Sequence, residues 1–281
     1  MASHHRPAAQ PPLSAVRGPV PPGTGWPDDP ADARTPVASS PDDVRRLAGA
    51  AVSPADLDAA VSVCRACPRL VQWREQVAVE RRRSFDTEQY WGRPIAGWGD
   101  PAAPLLVVGL APAAHGGNRT GRIFTGDRSG DWLFAALHRA GLAAQAASTH
   151  AGDGQQLIGT RMLAAVRCAP PANAPTPAER DTCAPWMDAE VALLLPQLRA
   201  VIALGAFAWQ ATLGCLSRLG IDTPRPRPRF GHGAEVDLGG VTVVGSFHPS
   251  QQNTFTGRLT EVMLDQVLDR AAILAGLRNT V

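Results

Sequence analysis

Hydrophobic positions along the last two thirds of the chain alternate between short apolar runs and longer segments of helical period. Four apolar, partly β-branched runs have the length and composition of strands buried on both faces, at residues 105–108, 162–167, 200–204 and 241–246. Four helical segments follow them in turn, at residues 130–142, 177–198, 206–213 and 259–277. This alternation predicts an α/β fold, a three-layer α/β/α arrangement with a central four-stranded, mostly parallel sheet.

The N-terminal part lacks such a pattern. Residues 1–53 are rich in Pro, Ala, Ser and Asp and show no sustained apolar period, which predicts an extended, partly disordered arm. Residues 54–281 are predicted to form a single α/β domain. Two helices are expected before the first strand, at 54–63 with Ser53 as N-cap and at 68–83. The second would end in three arginines, placed there either as a solvated helix end or as contacts to a DNA backbone.

The stretch from 105 to 133 reads LLVVGLAPAAHGGNRTGRIFTGDRSGDWL and contains the first candidate site. Small residues follow the strand and let the backbone approach a flat ligand closely. Phe124 offers an aromatic face and Asp127 a carboxylate, while Ser129 is expected to cap the next helix. The chain has no lysine and no glycine-rich phosphate fingerprint. An enzyme that binds a phosphate group through this loop is therefore the weaker interpretation of the stretch.

A second polar loop, HPSQQNTFTGRLT, follows the last predicted strand. His248 opens it, at the carboxyl end of a strand, where open α/β sheets build their sites. A lone histidine is more often structural, but pairing with Asp127 across the same sheet edge favours a catalytic role. Asn253 lies further along this loop, and the start of the following helix can bind phosphate.

Four of the five cysteines form two pairs. Cys64 and Cys67 have metal-ligand spacing, whereas Cys168 follows an apolar strand and Cys183 lies near the start of the helix capped by Thr176. In an intracellular enzyme such a set is more often a metal or cluster site than two disulfides. Zinc and a [4Fe-4S] cluster both accept four thiolates, and the residues alone leave both open.

Composition changes this picture only slightly. The chain has 281 residues, a net charge of +2 and 27 basic residues, all of them arginine. Arginine suits phosphate contact, although a GC-rich genome would also favour it. Without lysine, no side-chain amine can form a Schiff base. The absence of a long apolar run and of a signal-peptide core predicts a cytoplasmic, nucleoid-associated protein.

The two loops resemble the motifs of the uracil-DNA glycosylase superfamily, and closely those of its family 5, over residues 64–276. The resemblance implies a monofunctional DNA glycosylase that hydrolyses the bond between a deaminated base and deoxyribose. It also implies a [4Fe-4S] cluster on Cys64, Cys67, Cys168 and Cys183. The polar groups implicated in catalysis would be Asp127, Asn173, His248 and Asn253. Base contacts are expected from Gly109, Ala111, Phe124 and Ala164, and DNA contacts from Asn118, Arg119, Ser250, Gln251 and Arg258.

The sequence departs from related patterns at two places. Leu110 and Ala111 stand where many superfamily members carry a water-activating residue, and Ala164 stands where family 4 has an asparagine that reads uracil. A pocket without that amide predicts removal of hypoxanthine and substituted uracils besides uracil. The expected substrates are double-stranded and single-stranded DNA, and the enzyme is expected to be a monomer. A family 4-like uracil-specific enzyme and a non-catalytic DNA-binding cluster protein are the alternatives.

Overall fold

A six-stranded sheet forms the centre of the protein in the computed structural model, which describes residues 17–26 and 29–279. The strands are β1 (Trp98–Gly99), β2 (Leu105–Gly109), β3 (Thr160–Ala164), β4 (Ala200–Leu204), β5 (Glu235–Asp237) and β6 (Thr242–Ser246). Their order is β1-β3-β2-β4-β6-β5. The four inner strands are parallel and the two edge strands antiparallel. The predicted four-stranded parallel core is therefore confirmed, with two additional edge strands that are too short to show a period in the sequence.

Helices cover both faces of the sheet. They are α1 (Pro41–Ala50), α2 (Pro54–Ser62), α3 (Pro68–Glu80), α4 (Gly117–Thr120), α5 (Arg128–Arg139), α6 (Pro177–Leu194), α7 (Ala206–Arg218), α8 (Gln251–Phe255) and α9 (Glu261–Leu274). Alternate residues of β2 point to opposite sides, so Leu105 packs in the core beneath α5 and α9, and Leu106 in the core beneath α6 and α7. The predicted three-layer architecture is confirmed.

Helix caps explain where several helices begin. The Ser53 side chain accepts a hydrogen bond from the backbone N–H of Asp56 at the start of α2, as predicted. Thr176 and Glu179 form a reciprocal capping box on α6. The predicted cap of α5 is wrong, because Asp127 and not Ser129 caps this helix and accepts from the Gly130 N–H at 2.9 Å. Aspartate and serine can both cap a helix, and here the helix begins directly after the aspartate.

The N-terminal part contains one helix that was not predicted. Helix α1 lies within residues 1–53 and buries Val44, Leu47 and Ala48, which are too few to give a sustained period in the sequence. Further upstream, Val20 is buried and its N–H donates to the carbonyl of Trp91 at 3.0 Å. Residues 1–16 of the predicted disordered arm lie outside the described residues.

Other boundaries differ from the predictions for local reasons. Helix α3 ends at Glu80 rather than at residue 83, because the next residue, Arg81, adopts a left-handed φ of 55°. Helices α4 and α8 have four and five residues, which is too short for a sequence period. No helix in the described part of the chain has the length and apolar character to span a membrane.

Candidate active site and cysteine cavity

The two predicted loops meet at the carboxyl edge of the sheet. Strand β2 ends at Gly109, which pairs with Ala164 at the end of β3. His248 follows β6, and its Cβ lies 3.6 Å from the position that a Cβ on Gly205, after β4, would occupy. The ends of four neighbouring strands thus surround one region, as the positions of the loops in the sequence predicted.

Phe124 joins the two loops. Its ring packs against the end of β2 so closely that a Cβ on Gly109 would lie 2.7 Å from the ring. The ring centroids of Phe124 and His248 are 5.6 Å apart with planes tilted by 38°. Phe124 has a φ of 50°, which is uncommon for an aromatic residue. The loop therefore holds this ring in place at some cost in backbone energy, which is typical of a functional position.

Asp127 uses its two carboxylate oxygens differently. Oδ1 accepts the N–H of Gly130 as the helix cap, while Oδ2 lies against the backbone of Gly116. Burial raises the pKa of Asp127, and hydrogen bonds from the backbones of Gly130 and Ser129 oppose this rise. The carboxylate is consequently fixed in direction and only partly withdrawn from solvent.

The backbone of His248 is held by a side chain further along the same loop. Asn253 donates from Nδ2 to the carbonyl oxygen of His248 at 2.8 Å, which fixes the backbone that carries the imidazole. Burial lowers the pKa of His248 to about 4, so the ring is neutral at physiological pH and has one N–H to donate. Asn253 was predicted as a catalytic polar group, and the structure gives its amide this positioning contact.

Asn173 lies in a short turn after Cys168. It ends the turn Pro171–Asn173, is exposed, and shares left-handed φ values with Ala172, 56° and 53° respectively. Its side chain makes no hydrogen bond to any described residue. A catalytic role for Asn173 stays a prediction.

Two predicted DNA contacts are corrected by their burial. Asn118 is fully buried and donates to the carbonyl of Arg74 at 3.2 Å. Arg119 is also buried, pairs with Glu88, and donates to the carbonyl of Gly126 at 2.8 Å. Arg119 thus satisfies a backbone carbonyl of the glycine-rich loop itself, whereas Asn118 ties this loop to helix α3. They shape this loop from inside and do not face a DNA strand.

The second loop does present side chains to solvent. Gln251 and Arg258 are exposed and Ser250, which starts α8, is half-buried. Phe255 at the end of α8 is 67% exposed, and the guanidinium carbon of Arg128 lies 5.6 Å from its ring centroid. Neither Phe255 nor Arg128 was predicted as a site residue. An aromatic residue in an otherwise polar loop was the available signal.

The four predicted cysteine ligands line one cavity. Cys64 follows α2, Cys67 starts α3, Cys168 lies after β3, and Cys183 is in the first turns of α6. The cavity is otherwise lined mainly by apolar side chains and by Arg74, Arg167 and Trp186. Sequence positions more than a hundred residues apart are thus brought together, whereas Cys215 lies in the core beneath α7.

The chemistry of this cavity fits a bound metal centre. Burial raises the pKa of Cys67 to about 12, and negative charge on Cys168 and Cys64 adds to the rise. Burial likewise raises the pKa of Cys64 and Cys183. Four thiolates are stable here only with a bound cation. Among residues 17–26 and 29–279, no three Cys, His, Asp or Glu side chains are grouped as ligands of a single metal ion. Four thiolate ligands are the set that both a zinc ion and a [4Fe-4S] cluster accept.

Comparisons with known proteins agree with this geometry. The model of the uracil DNA glycosylase superfamily matches residues 96–272. A type-5 uracil-DNA glycosylase of Mycobacterium tuberculosis is 58% identical over 264 residues, 94% of this chain and 97% of the relative. The chain belongs to the type-5 family of uracil-DNA glycosylases. Type-5 uracil-DNA glycosylases of Thermus thermophilus and Pyrobaculum aerophilum are 50% and 47% identical, over 77% and 76% of this chain and 96% and 89% of the relatives.

Membership of the type-5 family confirms the resemblance seen in the two loops and makes the protein an enzyme of the hydrolase class. The family model also spans every strand of the parallel sheet. Helices α1, α2 and α3 precede the matched range, and with them Cys64 and Cys67.

Proposed function

We propose that the protein hydrolyses the N-glycosidic bond of uracil in DNA and leaves an abasic site. Its membership of the type-5 family supports this activity. The arrangement that carries the proposal is the contact between Phe124 and the neutral His248, with Asp127 fixed on the same loop. An aromatic face, a hydrogen-bond donor and a carboxylate are the groups that base excision requires.

The leaving base is the first problem that the site must solve. As the bond breaks, negative charge develops on the base and positive charge on the sugar. His248, kept neutral by burial, would donate its N–H to the base carbonyl that gains charge, and one such donor is worth about 2.7–4 kcal/mol in comparable anion sites. Phe124 would contact the flat face of the extruded base, a contact worth about 1–3 kcal/mol.

Water must then reach the sugar. Leu110 and Ala111 offer no polar side chain at the position where many superfamily members activate water. Asp127 would therefore take this role through Oδ2, the oxygen that does not cap α5. A carboxylate in this position also stabilises the positive charge that develops on the sugar.

We also propose that Cys64, Cys67, Cys168 and Cys183 hold a [4Fe-4S] cluster with a structural role. Bound there, the cluster would cross-link α2, α3, α6 and the segment after β3. Closing a loop of about a hundred residues stabilises a fold by several kcal/mol in the analogous disulfide case. Ala111 packs with Leu70 and Cys168 in one apolar group, so the cross-link would also support the base-binding loop.

The substrate range would extend beyond uracil. Ala164 ends β3 beside Gly109 and offers only a methyl group to the base. Buried hydrogen-bonding groups reject unsuitable ligands far better than apolar walls do. Hypoxanthine and substituted uracils would therefore also be removed, with selectivity arising from the cost of extruding each base.

DNA would approach the surface formed by α8 and the start of α5. Arg258 and Gln251 are exposed there, and the Arg258 guanidinium lies 4.6 Å from the Phe247 ring centroid. Phe255 beside Arg128 would fill the space that an extruded base leaves in the stack. We propose double-stranded DNA as the main substrate, bound by a monomer.

The decisive experiment is incubation with a single-uracil duplex followed by alkaline strand cleavage. Wild-type protein should release uracil, and Asp127→Asn and His248→Ala should each slow release by about 100-fold or more while still binding the duplex. Binding without base release by the wild type would favour the alternative, a DNA-binding cluster protein without catalysis. Release at the wild-type rate by both variants would refute the site.

A further inference from the structure

Two arginine side chains lie inside the protein against the cysteine cavity. Arg74 and Arg167 both line it and each is 1% exposed. Arg74 donates from Nη1 to the sulfur of Cys168 at 2.9 Å and from Nη2 to the carbonyl of Cys64 at 3.0 Å. A buried guanidinium is costly unless its charge and its N–H groups are matched. Their presence at this position therefore needs a physical explanation.

Unmatched donors lie on the two arginines that line this cavity. They are Arg74 Nε, Arg167 Nε and Arg167 Nη1, which are buried and have no hydrogen-bond partner among the described residues. All three belong to positively charged groups and all three are donors, so acceptors on a negatively charged group in the cavity would satisfy them.

The buried side chains beside the cavity include more arginines than carboxyl groups. Arg167 pairs with Glu190, which is shared with Arg161, and Arg161 also makes a bidentate pair with Asp58. Burial opposes ionisation of Glu190, but the two arginines outweigh burial and lower its pKa. Two carboxyl groups thus pair with two arginines in this network, and burial together with the charge of Glu190 raises the pKa of Asp58 to about 7. Within residues 17–26 and 29–279, the carboxylate nearest to Arg74 is that of the partly exposed Glu75, at 3.9 Å, so no buried carboxylate of this part of the chain pairs with it.

We propose that Arg74 and Arg167 form a cationic hydrogen-bonding shell around the [4Fe-4S] cluster that stabilises its more negative, reduced state and retains its iron. This inference rests on the cluster assignment made under the proposed function. A cluster held by four thiolates carries net negative charge and sulfur acceptors, which match both the surplus cation and the unpaired donors. Net charge and hydrogen bonds to sulfur are the means by which proteins set the potential of such clusters.

Arg74 is the residue to change, because replacing Arg167 would leave the buried Glu190 without one of its partners. Arg74→Gln removes the charge and keeps donors, whereas Arg74→Lys keeps the charge and loses the planar fork. Arg122→Gln is the control, since Arg122 is also buried and ion-paired, with Asp153, but does not line the cavity. Circular dichroism verifies the fold of each variant.

The measurements are iron and sulfide per chain, the midpoint potential of the cluster, and the rate of iron loss to a chelator. Arg74→Gln should have a more negative midpoint potential and lose iron about 10–100-fold faster. Arg74→Lys should keep a potential closer to wild type, and Arg122→Gln should match wild type in both properties.

Two outcomes would overturn the inference, and they differ. Wild-type protein without iron and sulfide would refute the cluster itself and this shell with it. A fully loaded wild type together with Arg74→Gln of unchanged potential and unchanged iron loss would refute the shell alone. If Arg74→Gln fails to fold, Arg74→Lys decides, because loss of the fork should still speed iron release.

Discussion

Replacing Gly116 with alanine should disable the site without removing any catalytic group. The added methyl carbon would lie 2.9 Å from Asp127 Cγ, whereas carbon atoms in contact are about 3.5–4.0 Å apart. The carboxylate must therefore move by roughly 1 Å, and a misplacement of that size can slow an enzyme by about 100-fold. Loss of the cap on α5 would cost about 0.5–2 kcal/mol of stability, which is less than the roughly 5–15 kcal/mol that stabilises a typical protein.

Single-turnover release of uracil from a duplex, followed by alkaline cleavage, measures this effect. Gly49→Ala is the matched control, because a Cβ at this position of α1 would meet no atom within 4 Å. The double variant of Gly116→Ala and Asp127→Asn should be no slower than the slower single variant, since both act through one carboxylate. A folded Gly116→Ala protein that works at the wild-type rate would show that Oδ2 of Asp127 has no role in the reaction.

Four other predictions address the same site. Burial lowers the pKa of His248 to about 4 and raises that of Asp127. The rate should therefore show no step near pH 6.5, and it should fall with decreasing pH at values above the ordinary aspartate pKa; a histidine-like step that disappears in His248→Ala would contradict this. Phe255→Ala should slow release from duplex far more than from single-stranded DNA, with the similarly exposed Val262 as control on α9; equal effects on both substrates would exclude a role in filling the stack. Because the chain has no lysine, borohydride should trap no covalent protein–DNA adduct, and an adduct seen by electrophoresis would show Schiff-base chemistry. On single-lesion duplexes, hypoxanthine should be removed and uracil should be released faster opposite guanine than opposite adenine, whereas strict uracil activity, equal in both pairings, would argue against an open pocket.

The central sheet was predictable because its strands carry the strongest signals in the chain. Residues 105–108 and 200–204 are apolar on both faces, and burial on both faces is what the structure shows for β2 and β4. Helix α1 was not predictable in the same way. Its three buried residues interrupt a polar, proline-rich context, and only packing against α6 reveals their role.

The sequence predicted which loops form the candidate site, but it did not predict all the contacts that their side chains make. Placement of His248 and Phe124 follows from the rule that parallel strands end at one edge. The burial of Asn118 and Arg119 does not follow from any local pattern, because polar residues in a glycine-rich loop can point either way. In the structure Arg119 points inward and donates to the loop backbone at Gly126, and Asn118 points inward and donates to the backbone of helix α3 at Arg74.

Asp127 combines two functions that constrain one another. As the cap of α5 it must accept the N–H of Gly130, and a helix N-terminus stabilises a negative charge. Burial acts in the opposite direction and raises the pKa of the carboxylate. The cap thus opposes the effect of burial on the pKa of this carboxylate and directs its free oxygen along the wall formed by Gly116. Glycine at position 116 leaves room for the carboxylate. A serine would cap the helix equally well, but in the proposed reaction it would place no negative charge beside the sugar.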